Sequence, residues 1–263
     1  MCRSLAEGGA RCADHRRLST MTAEQIAPDP RDGVPDVTWA HDDMPSLWKA
    51  MSERADGHAV LAAAVDRLVR DRKVEAEITD ALVSSLPAGC RLHSLEWRMK
   101  SPSSTASKIL RKRRRGESPA DRAAKFTDTL RYTVCARDHD DIVEAADSAL
   151  GALVDRGMTV VEADDKYHDG APYKGLHFLL RTTEDTTFEL QVHSELSQQV
   201  KDEVHPIYEA VRDPATTKAD ADRLTEQLVT ISSVVPTPRG LAERTAFFGC
   251  EITRPGVRKS ANA

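Results

Sequence analysis

Between Arg98 and Arg115 the chain carries eight lysines and arginines and no acidic residue, although the whole protein has a net charge of −5. Their spacing has a chemical use. Arg98 and Lys100 are two apart, as on one side of a strand, whereas Ser101, Ser104, Lys108, Arg111 and Arg115 recur as one face of a helix. A helix N-terminus already offers free N–H groups and partial positive charge. Two cations handed to such an N-terminus, with hydroxyls on the first turn and more cations behind, make a cradle for a polyphosphate. Two carboxylates lie downstream: Asp128, before the strand-like LRYTVCA, and Glu189 in TFELQVH. Magnesium takes one or two carboxylates together with phosphate oxygens and waters, so Asp128 and Glu189 are candidate ligands beside a bound phosphate chain. Tyr173, in a loop next to Pro172, could stack on a base, and His177 opens the following strand.

Each feature has a plainer reading. The cations could form a solvated basic helix, or a nucleic-acid patch centred on the block Arg111 to Arg115. No aromatic residue interrupts that block, so base stacking has no support there. In TFELQVH the residues Glu189, Gln191 and His193 share one face, which is either an exposed sheet face or the lining of a site. Tyr173 could pack over a sheet edge, and His177 alone would be a structural histidine. Composition does not separate these readings.

The elements that must position these residues follow from periodicity. Residues 1–40 lack apolar periodicity, are rich in Gly, Asp and Pro, and are expected to be loose and disordered. Residues 45–85 show helical spacing, enough for two or three helices. Residues 92–100 read as a strand. Ser101 is an N-cap followed by Pro102, so a helix is expected to run to Arg115 and stop at Gly116. Residues 130–136 read as a strand, 142–154 as an amphipathic helix closed by Gly157, and 158–162 as another strand. Residues 176–182 and 187–193 form a hairpin around Glu184-Asp185. Residues 194–212 are helical with a kink or break at Pro206, a helix covers 217–234, and the last 25 or so residues look irregular. Strands alternating with helices predict an α/β domain, a mixed sheet flanked by helices, over about residues 91–213. A helical part over 41–90 precedes it, and a C-terminal helix and tail over 214–263 follow.

The 263 residues suit one domain with appendages, or at most two. No apolar run approaches a membrane span, and the N-terminus lacks the apolar stretch of a secretory signal. Five scattered cysteines fit reduced thiols, and the expected compartment is the cytoplasm. Cys2, Cys12 and His15 could begin a zinc site, with no fourth ligand visible.

Taken together, the segments resemble the synthetase domain of the RelA/SpoT family of alarmone-making nucleotide pyrophosphokinases, over about residues 92–212. Arg98-x-Lys100-Ser101-x-x-Ser104-x-x-x-Lys108 looks like the family's ATP-phosphate motif, and Asp128 in FTDTLRYTV like its metal-binding aspartate. Tyr173-x-x-Leu176-His177 is similar to the signature whose tyrosine stacks on the acceptor base. Glu189-x-Gln191 looks like the motif whose glutamate binds metal and activates the acceptor hydroxyl. The helix with Lys201, His205, Tyr208 and Glu209 resembles the one that follows in compact members. The pattern departs in places: Arg131 and Thr133 stand where larger members have glycine and arginine, Ala171-Pro172 replaces Asn-Gly, and His193 replaces an arginine. These changes look more like the small, divergent, single-domain members.

The resemblance implies transfer of the β,γ-pyrophosphate of ATP to the 3′-hydroxyl of a purine nucleotide, with Mg²⁺ as cofactor. In that reading Arg98, Lys100, Ser101, Ser104, Lys108 and Arg131 bind ATP, Asp128 and Glu189 are catalytic and hold the metal, and Tyr173, His177, Gln191 and His193 bind the acceptor. GDP or GTP is the first expectation. A toxic member making adenosine alarmones or modifying tRNA 3′ ends, with an antitoxin, is the alternative, and an inactive nucleotide- or RNA-binding module is the second. Compact members are often homo-oligomers. The upstream residues are too few for the family's His-Asp hydrolase domain.

Overall fold

A computed structural model describes residues 18, 20–213 and 215–254. The chain divides into two compact units. One comprises the chain to Glu77 with Ser94–Arg131 and Thr186–Phe188; the other comprises Ile78–His93, Tyr132–Asp185 and the chain from Glu189. Cys2, Cys12 and His15 lie outside the described residues.

In the first unit, α1 (Met44–Ser52) is capped by Asp43 and precedes α2 (Gly57–Ser85), whose first twenty-one residues belong here. Val60, Leu61, Ala64, Val65 and Leu68 are buried at helical spacing. A second, polar stripe runs beside them. Arg67, Asp71 and Glu75 are four apart and all buried; Arg67 pairs with Asp71 at 3.1 Å, and Glu75 takes Arg31 at 2.7 Å and Arg98 at 2.6 Å. Burial raises the Asp71 carboxyl above the usual carboxylate range, against the pull of Arg67. Next come α3 (Pro102–Lys112) and the short α4 (Pro119–Ala124). Ser101 caps α3 as expected, and Pro102, Thr105, Ala106 and Ile109 form its buried stripe.

Residues 20–40 are not loose from Thr20 onward. Ile26 is fully buried, Ala23, Ala27 and Val37 are buried, and the Trp39 indole donates to the Met99 carbonyl at 2.8 Å. They plug the core one side chain at a time from turns, which leaves no period to read. The strand expected over residues 92–100 is also replaced. Only Cys90–Leu92 is a strand (β1); Ser94 turns left-handed at φ 51°, and Leu95–Trp97 is a 3₁₀ turn. Trp97 faces solvent while adjacent Arg98 and Met99 are both buried, so period two fails there. An isolated bridge pairs Met99 with Leu130, and the Lys100 N–H donates to the Thr129 carbonyl at 2.9 Å.

The second unit is built on a seven-stranded mixed sheet. In chain order its strands are β1, β2 (Arg131–Ala136), β3 (Thr159–Asp165), β4 (Leu176–Arg181), β5 (Thr187–Ser194), β6 (Ala246–Phe247) and β7 (Cys250–Thr253). Across the sheet the order is β1-β2-β5-β4-β3-β7-β6. The register pairs Cys90 with Ala136 and Asp165 with Leu176 in antiparallel ladders, while β7 joins β3 in parallel. The helices are α5 (Ile142–Val154), α6 (Glu195–Arg212) and α7 (Lys218–Ser232). Helix α5 buries Ile142, Ala145, Ala146, Ala149, Leu150 and Leu153. Helix α6 opens with a Ser194/Ser197 capping box and runs on through Pro206, so of the kink or break expected there no break occurs. Within the C-terminal stretch expected to be irregular, Ala246–Phe247 and Cys250–Thr253 are strands. Phe247 and Cys250 pair around a two-residue turn in which Phe248 and Gly249 both have positive φ, and Phe247 packs edge-on to Phe178 at 5.0 Å. The sheet therefore extends to Thr253, beyond the expected core end at residue 213. Strands of two and four residues are too short to show alternation. Cys90, Cys135 and Cys250 are free thiols, and no helix among the described residues is long and apolar enough to cross a membrane.

Candidate active site

In the first unit the chemistry gathers around Asp128. The Lys108 ammonium pairs with one carboxylate oxygen, and Lys100 stands 3.7 Å from the other. Lys108 also lies 4.4 Å above the centre of the Phe126 ring. The local sequence places all three groups. Ile109 and Ala106 anchor α3 in the core and turn Lys108 away from it, while the Met99–Leu130 bridge sets Lys100 beside the turn that carries Asp128. The three side chains stay 19–27% exposed, so a ligand can reach them. The Ser101 hydroxyl accepts from the Ser104 N–H at 3.1 Å and bonds Ser103 Oγ at 2.9 Å. Ser104 itself is exposed on the first turn.

Arg98 does not join this cluster. Its guanidinium is 2% exposed and is held by Glu75 at 2.6 Å, the Pro35 carbonyl at 2.7 Å and the Leu95 carbonyl at 3.0 Å. Its Nε and Nη1 are engaged inside the unit, away from Asp128, where an ATP contact was expected. Arg98 and Lys100 point to different surroundings because no strand forms there. Arg131 opens β2 half-buried, and its N–H donates to the Arg98 carbonyl at 2.7 Å. The helix expected to reach Arg115 ends at Lys112. Past it, Arg113 pairs with Asp56, and Glu117 collects Arg122 at 2.6 Å and Lys125 at 2.7 Å. Those contacts, Lys125 first, pull the Glu117 carboxyl down to about 2. Arg111, Lys112, Arg114 and Arg115 remain exposed.

In the second unit the site is a linked set of polar side chains on β4, β5 and α6. Phe188, Leu190 and Val192 are fully buried on one face of β5. The other face is not an open sheet surface: Gln191 is 4% exposed and His193 is fully buried. Glu189 lies 3.2 Å from His177 Nδ1 and accepts from the Gln191 amide at 2.5 Å; Lys201 on α6 donates to Gln191 Oε1 at 2.8 Å. The Tyr173 hydroxyl lies 2.8 Å from both His177 Nε2 and His193 Nε2, with its ring edge-on to both imidazoles. Ser197 Oγ stands 3.3 Å from His193 Nδ1. Burial lowers the His177 pKa, and Glu189 opposes that shift in part.

Gln191 and His193, expected at the acceptor, are therefore buried behind Glu189 and Tyr173 with their polar atoms engaged by the protein. Glu189, His177 and Tyr173 keep partial exposure. Sequence reasoning gave no part in the site to Gly175 or Ser197. A Cβ at Gly175 would lie 2.6 Å from His193 Cε1 and 2.8 Å from the Tyr173 hydroxyl, so only glycine fits beneath the cluster. The Lys-Gly before the β4 strand was the available signal. Ser197 had its own signal in the capping box that opens α6.

The oxygen donors of Asp128 and Glu189 suit a hard cation such as Mg²⁺. Among the described residues no three His, Cys, Asp or Glu side chains are grouped to hold a metal by themselves.

No protein-family model matches the chain, and no curated protein does. Similar solved structures include small alarmone synthetase 2 from Bacillus subtilis, at 16% identity and TM-score 0.42, covering 64% of this chain and 89% of that one. The type VI effector Tas1, solved in complex with its immunity protein, is similar at 19% identity and TM-score 0.41, covering 71% and 96%. A GTP pyrophosphokinase family protein from Streptococcus pneumoniae is similar at 16% identity and TM-score 0.39, covering 71% and 88%.

Proposed function

We propose that the protein is a nucleotide pyrophosphokinase that moves the β,γ-pyrophosphate of ATP to the 3′-hydroxyl of a purine nucleotide. The observation that carries the reading is Asp128 held by Lys100 and Lys108 beside the capped, hydroxyl-bearing N-terminus of α3. A carboxylate between two ammonium groups at a helix start is suited to a metal–triphosphate, since phosphates can replace the carboxylate as partners of the lysines.

In this assignment Lys100, Lys108 and the first turn of α3 hold the triphosphate. Glu189 orients the acceptor hydroxyl and takes its proton as the oxygen attacks the β-phosphorus. The bond from the β-phosphorus to the oxygen bridging it to the α-phosphorus breaks, and AMP leaves with that electron pair. Asp128 and Glu189 are each a candidate carboxylate for Mg²⁺, which would neutralise charge on the phosphates. Positioning and charge neutralisation do most of the work of such a transfer. Tyr173 and His177 flank the acceptor side beside Glu189.

The test is incubation with γ-³²P-labelled ATP and Mg²⁺, offering GDP, GTP, AMP, ADP or deacylated tRNA in separate reactions, with Glu189→Gln as control. Label on a nucleotide supports the reading and identifies the acceptor. No transfer to any acceptor, with ATP still bound, overturns it in favour of a binding module.

A second reading keeps the chemistry but takes tRNA as acceptor, the activity of a toxin that would require an antitoxin. Exposed Arg111, Lys112, Arg114 and Arg115 favour it, because they form a concentrated cationic knob on an acidic protein. Label appearing only on tRNA, with binding that weakens steeply with salt until these four are neutralised, selects this reading.

A further inference from the structure

The polar side chains behind Glu189 form a chain whose direction is set by chemistry at one end. An ionised carboxylate only accepts hydrogen bonds, so His177 Nδ1, 3.2 Å from Glu189, must carry hydrogen. In a neutral imidazole, Nε2 is then an acceptor. The Tyr173 hydroxyl, 2.8 Å away, donates its single hydrogen to it. With that hydrogen committed, the phenol oxygen accepts from His193 Nε2–H, also at 2.8 Å. His193 Nδ1 is left as an acceptor facing the Ser197 hydroxyl at 3.3 Å, which shares its one hydrogen with the Ser194 carbonyl, also at 3.3 Å. His193, Tyr173 and His177 thus each have one role in the line that ends at Glu189.

We infer that the Tyr173 hydroxyl is a positioning group for Glu189: it holds His177 in the tautomer whose Nδ1–H faces the carboxylate and so fixes the oxygen that meets the acceptor hydroxyl. Tyr173 then does more than offer a ring to a base. His193 and Ser197, out of reach of a ligand, belong to the same device. Gly175 leaves the room in which the phenol and the His193 imidazole meet. The kinetic consequence rests on the pyrophosphokinase reading; the tautomers do not.

Two measurements on the full chain test it. Long-range ¹H–¹⁵N correlation of histidine-labelled protein should find His177 protonated at Nδ1 and His193 at Nε2, and Tyr173→Phe should disturb both. The reverse tautomers in the wild type overturn the inference. In the label-transfer assay, Tyr173→Phe keeps the ring and removes only the hydroxyl. Its kcat should fall about 10–100-fold with the acceptor KM nearly unchanged. His193→Gln, which can place an amide N–H near the Nε2 position, should retain most of the wild-type kcat, whereas His193→Leu should lose as much as Tyr173→Phe. Unchanged kcat in Tyr173→Phe, or a loss confined to the acceptor KM, overturns the positioning role. A wild type that transfers no label removes Glu189's role as base and the positioning role with it, while the tautomers still decide whether the directed chain exists.

Discussion

Lys108 forms an ion pair with Asp128 while its ammonium rests over the Phe126 ring. The pair ties the middle of α3 to the turn before β2 and keeps a cation and a carboxylate poised at one surface. Lys108→Ala should raise the KM for ATP by about 10–100-fold, the scale of one lost charge-assisted hydrogen bond. Initial rates against ATP concentration check this, and an unchanged KM removes Lys108 from the phosphate site. Asp128→Asn should lower kcat by about 10²–10³-fold while thermal unfolding stays close to wild type.

Arg98 tests the boundary between site and scaffold. Its partner Glu75 is as buried as it is and would keep only Arg31 after Arg98→Ala, so the substitution should cost about 1–3 kcal/mol. Chemical denaturation measures that cost. The folded fraction should bind ATP with the wild-type KM, whereas a direct phosphate contact would raise it.

Gly175→Ala should destabilise the second unit by about 1–3 kcal/mol, because the new methyl meets a ring carbon of His193 and the Tyr173 hydroxyl at less than contact distance. Histidine ¹⁵N shifts that stay at wild-type values in a normally stable Gly175→Ala protein would contradict the packing described for that position.

Glu117 supplies a pH dependence with a definite sign. Its carboxyl lies near 2 in the folded protein against an ordinary 4.5, so the unfolded chain binds the proton more readily between those values. The stabilisation is complete above about pH 4.5 and disappears as pH falls towards 2. Melting temperatures of wild type and Glu117→Gln should therefore differ at pH 6 and converge near pH 2. A gap that does not change with pH would mean the partners of Glu117 do not hold its charge.

Helices and hairpin were legible wherever a period ran for several turns: residues 142–154 are a helix with the expected ends, and the hairpin turns at Glu184-Asp185, where Asp185 takes positive φ. Ser101 as a cap was equally plain, since a short hydroxyl before proline is a local signal. The chemical types of the candidate site, lysines with Asp128 and Glu189 with Tyr173 and His177, were also present in order along the chain. The tertiary structure decided which of them stay accessible and which are buried. Arg98 and Lys100 are alike in the sequence, yet one is buried against Glu75, twenty-three residues earlier, and the other meets Asp128. Gln191 and His193 looked like lining residues and are covered by Lys201 and Ser197 from α6. Burial and hydrogen-bond direction depend on partners distant in the chain, and local spacing holds no record of them.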